Sequence, residues 1–328
     1  MKNEIISIII PVKEINDYIL EFVPKILNQK NKDFEIIILP DEKPKEIGPE
    51  LRNKKIRIIA TGSAGPAYKR DIGAEKSRGE ILSFIDDDAY PFDENWLGKA
   101  KNNFQKESIA AVGGPQLTPK ESSFFQKLSG KVLESPMVSG PVSFRHKSSE
   151  KKECYDIPSC NLFVRNKIFK KIGGFDTSFW PGEDTKLCLD IKKLGEKMVY
   201  DPEMKVYHHR RKDIWKYLKQ IWQYSSHRGF FAKKYPETSF KLSYFVPSLF
   251  VLGLIFGPIL SFFHFVFEII YLVILGIYLI LMFIESFTTK RISWIVPFLV
   301  VGFLTHITYG FGFLRGLLKL NLKSKYRK

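Results

Sequence analysis

Cysteine is scarce in this 328-residue chain: Cys154, Cys160 and Cys188 are an odd number without metal-ligand spacing. That excludes a disulfide-stapled scaffold and a cysteine-bound zinc module, and the three read as reduced thiols. Internal repeats and low-complexity tracts are also missing, which excludes a solenoid or a disordered linker protein. No signal-peptide pattern opens the chain. Met1 to Pro11 is a short charged start that runs directly into a strand pattern, so the large N-terminal part is expected to stay in the cytoplasm. Acidic residues are the deficient charge, 35 against 51 basic, which leaves a net charge of +16.

Such an excess invites a nucleic-acid reading. Much of it, however, lies in "HHRRKDIWKYLK" and in the tail "RGLLKLNLKSKYRK", both beside long apolar runs. Basic clusters in that position meet anionic lipid headgroups, so a membrane surface, and no nucleic acid, is the expected partner.

Charge itself is nearly absent from Ser243 to Leu314. Tyr244 to Leu260 and Ile269 to Phe287 each come close to the ~20 residues that cross hydrocarbon as a helix, with His264 and Glu268 in a polar turn between them. A third run, Ile292 to Leu314, is long enough but holds Pro297, His306 and several glycines; it either crosses or bends into the interface. Two domains follow: a cytoplasmic part over 1–240 and a membrane part over 241–328, with two or three transmembrane helices and a basic tail.

Within the soluble part, "EIISIIIPV" and "DFEIIILPDE" are apolar runs of the kind that form strands buried on both faces. "NDYILEFVPKILNQ" between them has helical spacing. "KIRIIAT", the helical "GPAYKRDIGAEKSRG" and "EILSFIDDD" follow, and the β-α-β-β-α-β order predicts a parallel α/β sheet with ligands at the carboxyl ends of its strands. Asp41 and Asp86 to Asp88 fall there. "AAVGGPQL" is a further strand, "CNLFVRNKIFKKIGGFD" a strand, helix and turn, and "KVYHH" a short strand. Ser122 to Glu153 is polar and irregular apart from the amphipathic "FFQKLSGKVL", and is expected to be a mobile loop that orders on ligand binding.

Three consecutive aspartates at a strand end are unfavourable unless a cation meets them. Alternation points Asp86 and Asp88 into one pocket and Asp87 away, a donor pair suited to Mg²⁺ or Mn²⁺ that also carries a diphosphate. "FWPGEDTKLCLDI" starts a helix with Glu183 and Asp184. Carboxylates there complement the helix dipole, or one of them serves as a general base toward a hydroxyl. His208, His209, Arg210 and Arg211 could reach a phosphate, or they face the membrane.

Taken in order, "IIIPVKE", "PDE", "GPAYKRDIG", "GEILSFIDDDAYP" with Trp96 after it, "CNLFVRNKIFKKIGGFD" and "GEDTKLCLDIKKLG" resemble the family 2 glycosyltransferases of the GT-A fold, over about Ile5 to Arg228. The likeness is greatest to membrane-anchored members that elongate lipid-linked or exported polysaccharides. It implies a GT-A α/β fold, a mixed sheet flanked by helices, followed by C-terminal transmembrane helices in the cell membrane. It also implies that Pro11, Val12, Lys13 and Glu14 line the nucleotide pocket with Asp41 near the base, and that Arg70 touches the nucleotide, although Asp71 stands where the family has Asn. Asp86 and Asp88 correspond to the metal pair and Asp184 to the base. His208 joins the candidate metal ligands, and His208 or Arg211 adds charge at the diphosphate. The Gln-x-x-Arg-Trp motif of processive members is absent; "QYSSHRG" is a looser equivalent.

The expected activity is therefore metal-dependent transfer, with inversion, from a nucleotide diphosphate sugar, a UDP-sugar first, to a polyprenyl-phosphate or lipid-linked glycan. Two alternatives are weaker. A sugar-phosphate nucleotidyltransferase would carry a glycine-rich basic loop where "IIIPVKEIN" has no glycine, and an idle membrane scaffold has no use for carboxylates at both a strand end and a helix start.

Overall fold

The computed structural model describes residues 4–319 and residue 322; the basic tail beyond these lies outside the described residues. In chain order the elements are β1 (Ile6–Pro11), α1 (Asp17–Leu27), β2 (Phe34–Leu39), β3 (Ile56–Ile58), α2 (Pro66–Glu75), β4 (Ile81–Phe84), β5 (Ala89–Pro91), α3 (Trp96–Phe104), β6 (Ile109–Gly113) and β7 (Gln116–Leu117). Next come α4 (Phe124–Glu134), α5 (Pro136–Ser139), β8 (Lys152–Glu153), β9 (Leu162–Arg165), α6 (Asn166–Lys171), α7 (Glu183–Lys193), β10 (Lys197–Tyr200) and β11 (Val206–His208). The remainder is helical: α8 (Ile214–Lys234), α9 (Pro236–Ser239), α10 (Leu242–Ser261), α11 (Phe265–Ser286) and α12 (Ile295–Leu318).

Packing divides the chain into two compact units. One holds the chain through Leu117 together with Lys147–His209; the other holds Thr118–His146 and Arg210–Leu322. Composition puts a boundary near residue 240. Packing instead groups α4, α5 and α8 with the apolar helices.

In the first unit β1 and β2 are buried at every position, as their largely apolar runs require, and the two polar exceptions meet, Ser7 Oγ donating to Glu35 Oε1 at 2.7 Å. An eight-stranded sheet has the order β3-β2-β1-β4-β9-β6-β10-β8. Strands β1 to β4 pair in parallel, as the β-α-β order predicts. The sheet is nevertheless mixed, because β9 runs antiparallel to both β4 and β6. The chain reaches β9 after the long excursion through 118–161 and not through a helical crossover, so nothing holds it to the parallel sense. The register pairs Pro11 with Leu39 and Ile9 with Phe84. The segments leaving β1, β2 and β4 therefore emerge at one edge, which carries Lys13, Asp41 and Asp86.

Helix α2 starts with Gly65 and Pro66, the residue whose missing N–H costs nothing there. It lies close on the sheet: a Cβ on Gly73 would come within 2.5 Å of Ile9 Cγ2. Residues three and four before Gly73, Arg70 and Lys69, share that inward face and are buried.

In the second unit, the amphipathic stretch expected within the polar segment forms α4, opened by a capping box in which Ser123 and Gln126 satisfy each other's backbone N–H groups. Leu128 and Val132 of α4 pack with Tyr217, Ile221, Phe298 and Val301. This burial holds the amphipathic stretch "FFQKLSGKVL" as a helix within the otherwise polar segment. α10, α11 and α12 are each long and apolar enough to cross a membrane by length and composition.

Candidate active site

Backbone pairing continues just past β4, with Ile85 N–H bonding Ile9 O at 3.4 Å, and the aspartates then form a turn closed by Ala89 N–H to Asp86 O at 3.1 Å. Asp87 Oδ2 accepts from Asn16 Nδ2 at 2.7 Å, while Asn16 Oδ1 caps α1 by accepting the Ile19 N–H at 3.1 Å. Asp87 thus anchors the turn to the start of α1. Its burial, and then the charge of Asp88, push its carboxyl up to about 6.

A small sheet of order β5-β11-β7 brings in a residue 120 positions away. β11 pairs antiparallel with β5, His208 opposite Ala89, and parallel with β7, Val206 opposite Gln116. His208 Nε2 then lies 3.0 Å from Asp88 Oδ1, and Nδ1 lies 3.1 Å from Gln116 Oε1. One donor atom each from Asp86, Asp88 and His208 lies within 4.8 Å of the others. With Nδ1–H donating to Gln116, Nε2 faces the Asp88 carboxylate only with a cation between them, either a proton on Nε2 or a metal. Two carboxylate oxygens and an imidazole nitrogen form a donor set that fits Mn²⁺ or Mg²⁺.

Arg70 links this cluster to the start of α7. Its Nη2 donates to Asp86 Oδ1 at 2.6 Å and its Nη1 to Glu183 Oε1 at 2.9 Å. The side chain is only 3% exposed, and Nε is buried without a partner. Burial opposes its charge, but the two carboxylates outweigh this and raise its pKa. Glu183, also buried, is pushed up to about 7 by desolvation and by the charge of Asp184. Asp184 occupies the first helical turn and is partly exposed, and its Oδ1 accepts the Thr185 N–H at 2.7 Å.

Other expected residues form a second group at the same sheet edge. Pro11 and Val12 are buried, whereas Lys13 and Glu14 are exposed. Lys69 donates to Val12 O at 2.5 Å and pairs with Asp41, whose N–H bonds Lys13 O at 2.9 Å. Arg70 does not point outward as a nucleotide contact would, because its fork is spent on two carboxylates. Arg211 is exposed and belongs to the second unit. Sequence reasoning missed Lys69, Asn16 and Gln116; it singled out Glu183 beside Asp184 at the helix start, but not its pairing with Arg70. The spacing of Lys69 and Arg70 from Gly73 was a usable signal, whereas Gln116 gives no local sign.

Residues 7–173 match glycosyl transferase family 2. The chain belongs to that family and is a glycosyltransferase. It is 25% identical over 342 residues, 96% of this chain and 98% of the relative, to the dolichyl N-acetyl-alpha-D-glucosaminyl phosphate 3-beta-D-2,3-diacetamido-2,3-dideoxy-beta-D-glucuronosyltransferase of Methanococcus voltae. It is 23% identical over 229 residues to the glucosyl-dolichyl phosphate glucuronosyltransferase of Haloferax volcanii, covering 63% of this chain and 71% of that one. Among solved structures, a mannosyltransferase from Pyrobaculum calidifontis in complex with GDP-Man and Mn²⁺ superposes with a TM-score of 0.52 at 16% identity, covering 69% of this chain and 62% of that one. The fold is GT-A, as the sequence led one to expect.

Proposed function

We propose that this enzyme moves a sugar from a nucleotide diphosphate sugar, a UDP-sugar first, to a hydroxyl of a lipid-linked acceptor, with inversion at the anomeric carbon. The observation that carries this reading is the pairing of two acidic groups through one buried arginine: Asp86 of the cation cluster and Glu183 beside Asp184. The similarity to two dolichyl phosphate-linked glycosyltransferases supports the acceptor class. Asp184, partly exposed at the start of α7, takes the proton of the acceptor hydroxyl. The new O–C1 bond forms on the face opposite the leaving group, and the electron pair of the breaking C1–O bond departs with the nucleoside diphosphate. A divalent ion held by Asp86, Asp88 and His208 would offset the charge on that diphosphate. Arg70 sets the spacing between donor and base sites, while Lys69 fixes Asp41 and Val12 at the nucleotide end.

The catalytic part is cytoplasmic and the protein multi-pass under this proposal. α10 and α11 cross as a hairpin flanked by Lys241, Lys290 and Arg291, charges that favour the cytoplasmic side. A nucleotide-release assay with UDP-, GDP-, dTDP- and CMP-sugars, Mn²⁺ and a dolichyl phosphate-linked sugar acceptor tests the reaction. Asp184→Asn should keep donor binding and lose at least about a hundredfold in transfer, whereas Asp88→Asn should lose Mn²⁺-dependent donor binding as well. Retention of anomeric configuration in the product, or near-normal transfer by Asp184→Asn, would refute the mechanism.

A further inference from the structure

From the packing of the second unit we infer that α12, although long and apolar enough to cross, lies in the membrane interface across the base of the α10–α11 hairpin. This inference rests on the proposed membrane placement of that hairpin.

The buried residues of the hairpin all sit at its base. They are Tyr244, Ser248 and Val251 on α10 and Tyr278, Met282 and Ser286 on α11. At 1.5 Å per residue these lie within about 14 Å of the start of α10 or the end of α11, in helices of about 30 Å. α12 is different, because its buried positions run from Phe298 to Gly316.

Individual contacts trace the path. A Cβ on Gly302 would meet Met282 Cε at 2.5 Å, and Tyr278 Oη lies 3.0 Å from His306 Nδ1. Further along, Ser248 Oγ donates to Gly310 O at 3.0 Å, and the Phe245 and Phe313 rings are 4.8 Å apart. From Gly302 to Phe313, α12 therefore passes from the last turns of α11 to the first turns of α10. A helix crossing beside them would instead meet ever deeper levels of both.

α8 gives an independent reason. It runs alongside α12 in the same direction, with Tyr217 Oη 3.0 Å from Thr305 Oγ1 and Lys233 Nζ donating to Leu317 O at 2.7 Å. Small residues let the two backbones touch: Cβ atoms on Gly312 and Gly316 would come within 2.0 Å of Ser225 Oγ and Ser226 O. α8 exposes Lys216, Lys219, Lys233 and Lys234, which hydrocarbon does not tolerate. A helix in such close contact shares its depth. On α12, the exposed Val296, Val300, Phe303, Phe311 and Leu318 follow helical spacing and form the apolar stripe that an interfacial helix turns toward the acyl chains.

Single spin labels at Val273, Val300, Phe303 and Phe311 of the full chain in liposomes test this by oxygen against nickel-chelate accessibility. Mid-bilayer values are expected at Val273, and values several-fold shallower, with no maximum, along α12. A Phe303 value equal to that of Val273 would overturn the inference. Shallow values at Val273 as well would instead refute the crossing hairpin and leave α12 interfacial, so the two readings fail separately. In intact cells, an impermeant maleimide should label Phe262→Cys at the hairpin tip and not Leu318→Cys; labelling of both would overturn it.

Discussion

Replacing Asp71 by Asn should stabilise the first unit at alkaline pH and leave it nearly unchanged near pH 4. Asp71 follows Arg70 on α2, and its Oδ1 accepts the Phe175 N–H at 2.9 Å. Desolvation pushes its carboxyl up to about 7, against the opposing effects of that hydrogen bond and of Arg70. The folded state therefore binds a proton that the unfolded state has released once pH exceeds ~3.9. Stability falls as pH rises from about 4 to about 7 and is level above that. The full difference corresponds to roughly 4 kcal/mol, and about 2 kcal/mol is expected once water relaxation around a partly buried group is allowed for. Asn keeps the acceptor oxygen and does not titrate. At pH 8 the variant should melt roughly 4–8 °C higher in detergent, and the gain should vanish toward pH 4. Asp87 and Glu183 titrate in the same direction, but equally in both proteins, so the difference between the two stability curves isolates Asp71. Parallel curves, or a variant less stable at pH 8, would refute the reasoning.

Gln116→Leu should weaken Mn²⁺ binding, read by the loss of the free-ion EPR signal, by about 10–100-fold, because His208 loses the partner that orients its ring. Unchanged affinity would mean that the ring is held by its strand alone. Gly316→Val should destabilise the second unit by more than about 2 kcal/mol, since its Cβ would sit 2.0 Å from the Ser226 carbonyl oxygen. A thermal midpoint within error of the parent would show that α8 and α12 can separate without cost.

The parallel half of the fold was legible because β1, β2 and β4 are short, mostly apolar and each followed within two residues by a charged one, Lys13, Asp41 or Asp86. The antiparallel β9 was not, because nothing local in "CNLFV" records the direction from which the chain returns. Asp86 and Asp88 could be paired by alternation. His208 was named with them as a candidate ligand, and the structure brings it there through the β5–β11 register, which no local pattern encodes. For Arg70 the family resemblance and the packing pointed to different surroundings, and burial decided between them: a guanidinium with two carboxylate partners and an unpaired Nε is committed to the interior.

This arrangement also accounts for a mismatch between the whole chain and its site. The protein carries +16, yet Asp86, Asp87, Asp88, Glu183 and Asp184 share a region in which Arg70 is already neutralised by two of them. The basic excess lies elsewhere, on α8 and toward the tail, where it suits a lipid surface. A nucleoside diphosphate reaching the Asp86–Asp88 turn would therefore meet like charge at that point, even though Lys13 is exposed at the same sheet edge. Under the proposed reaction the attraction must come from an ion brought to Asp86, Asp88 and His208, while Arg70 keeps the two carboxylate groups from repelling each other apart. The buried arginine then serves the acidic site before any nucleotide arrives, and for that reason its charge is turned inward.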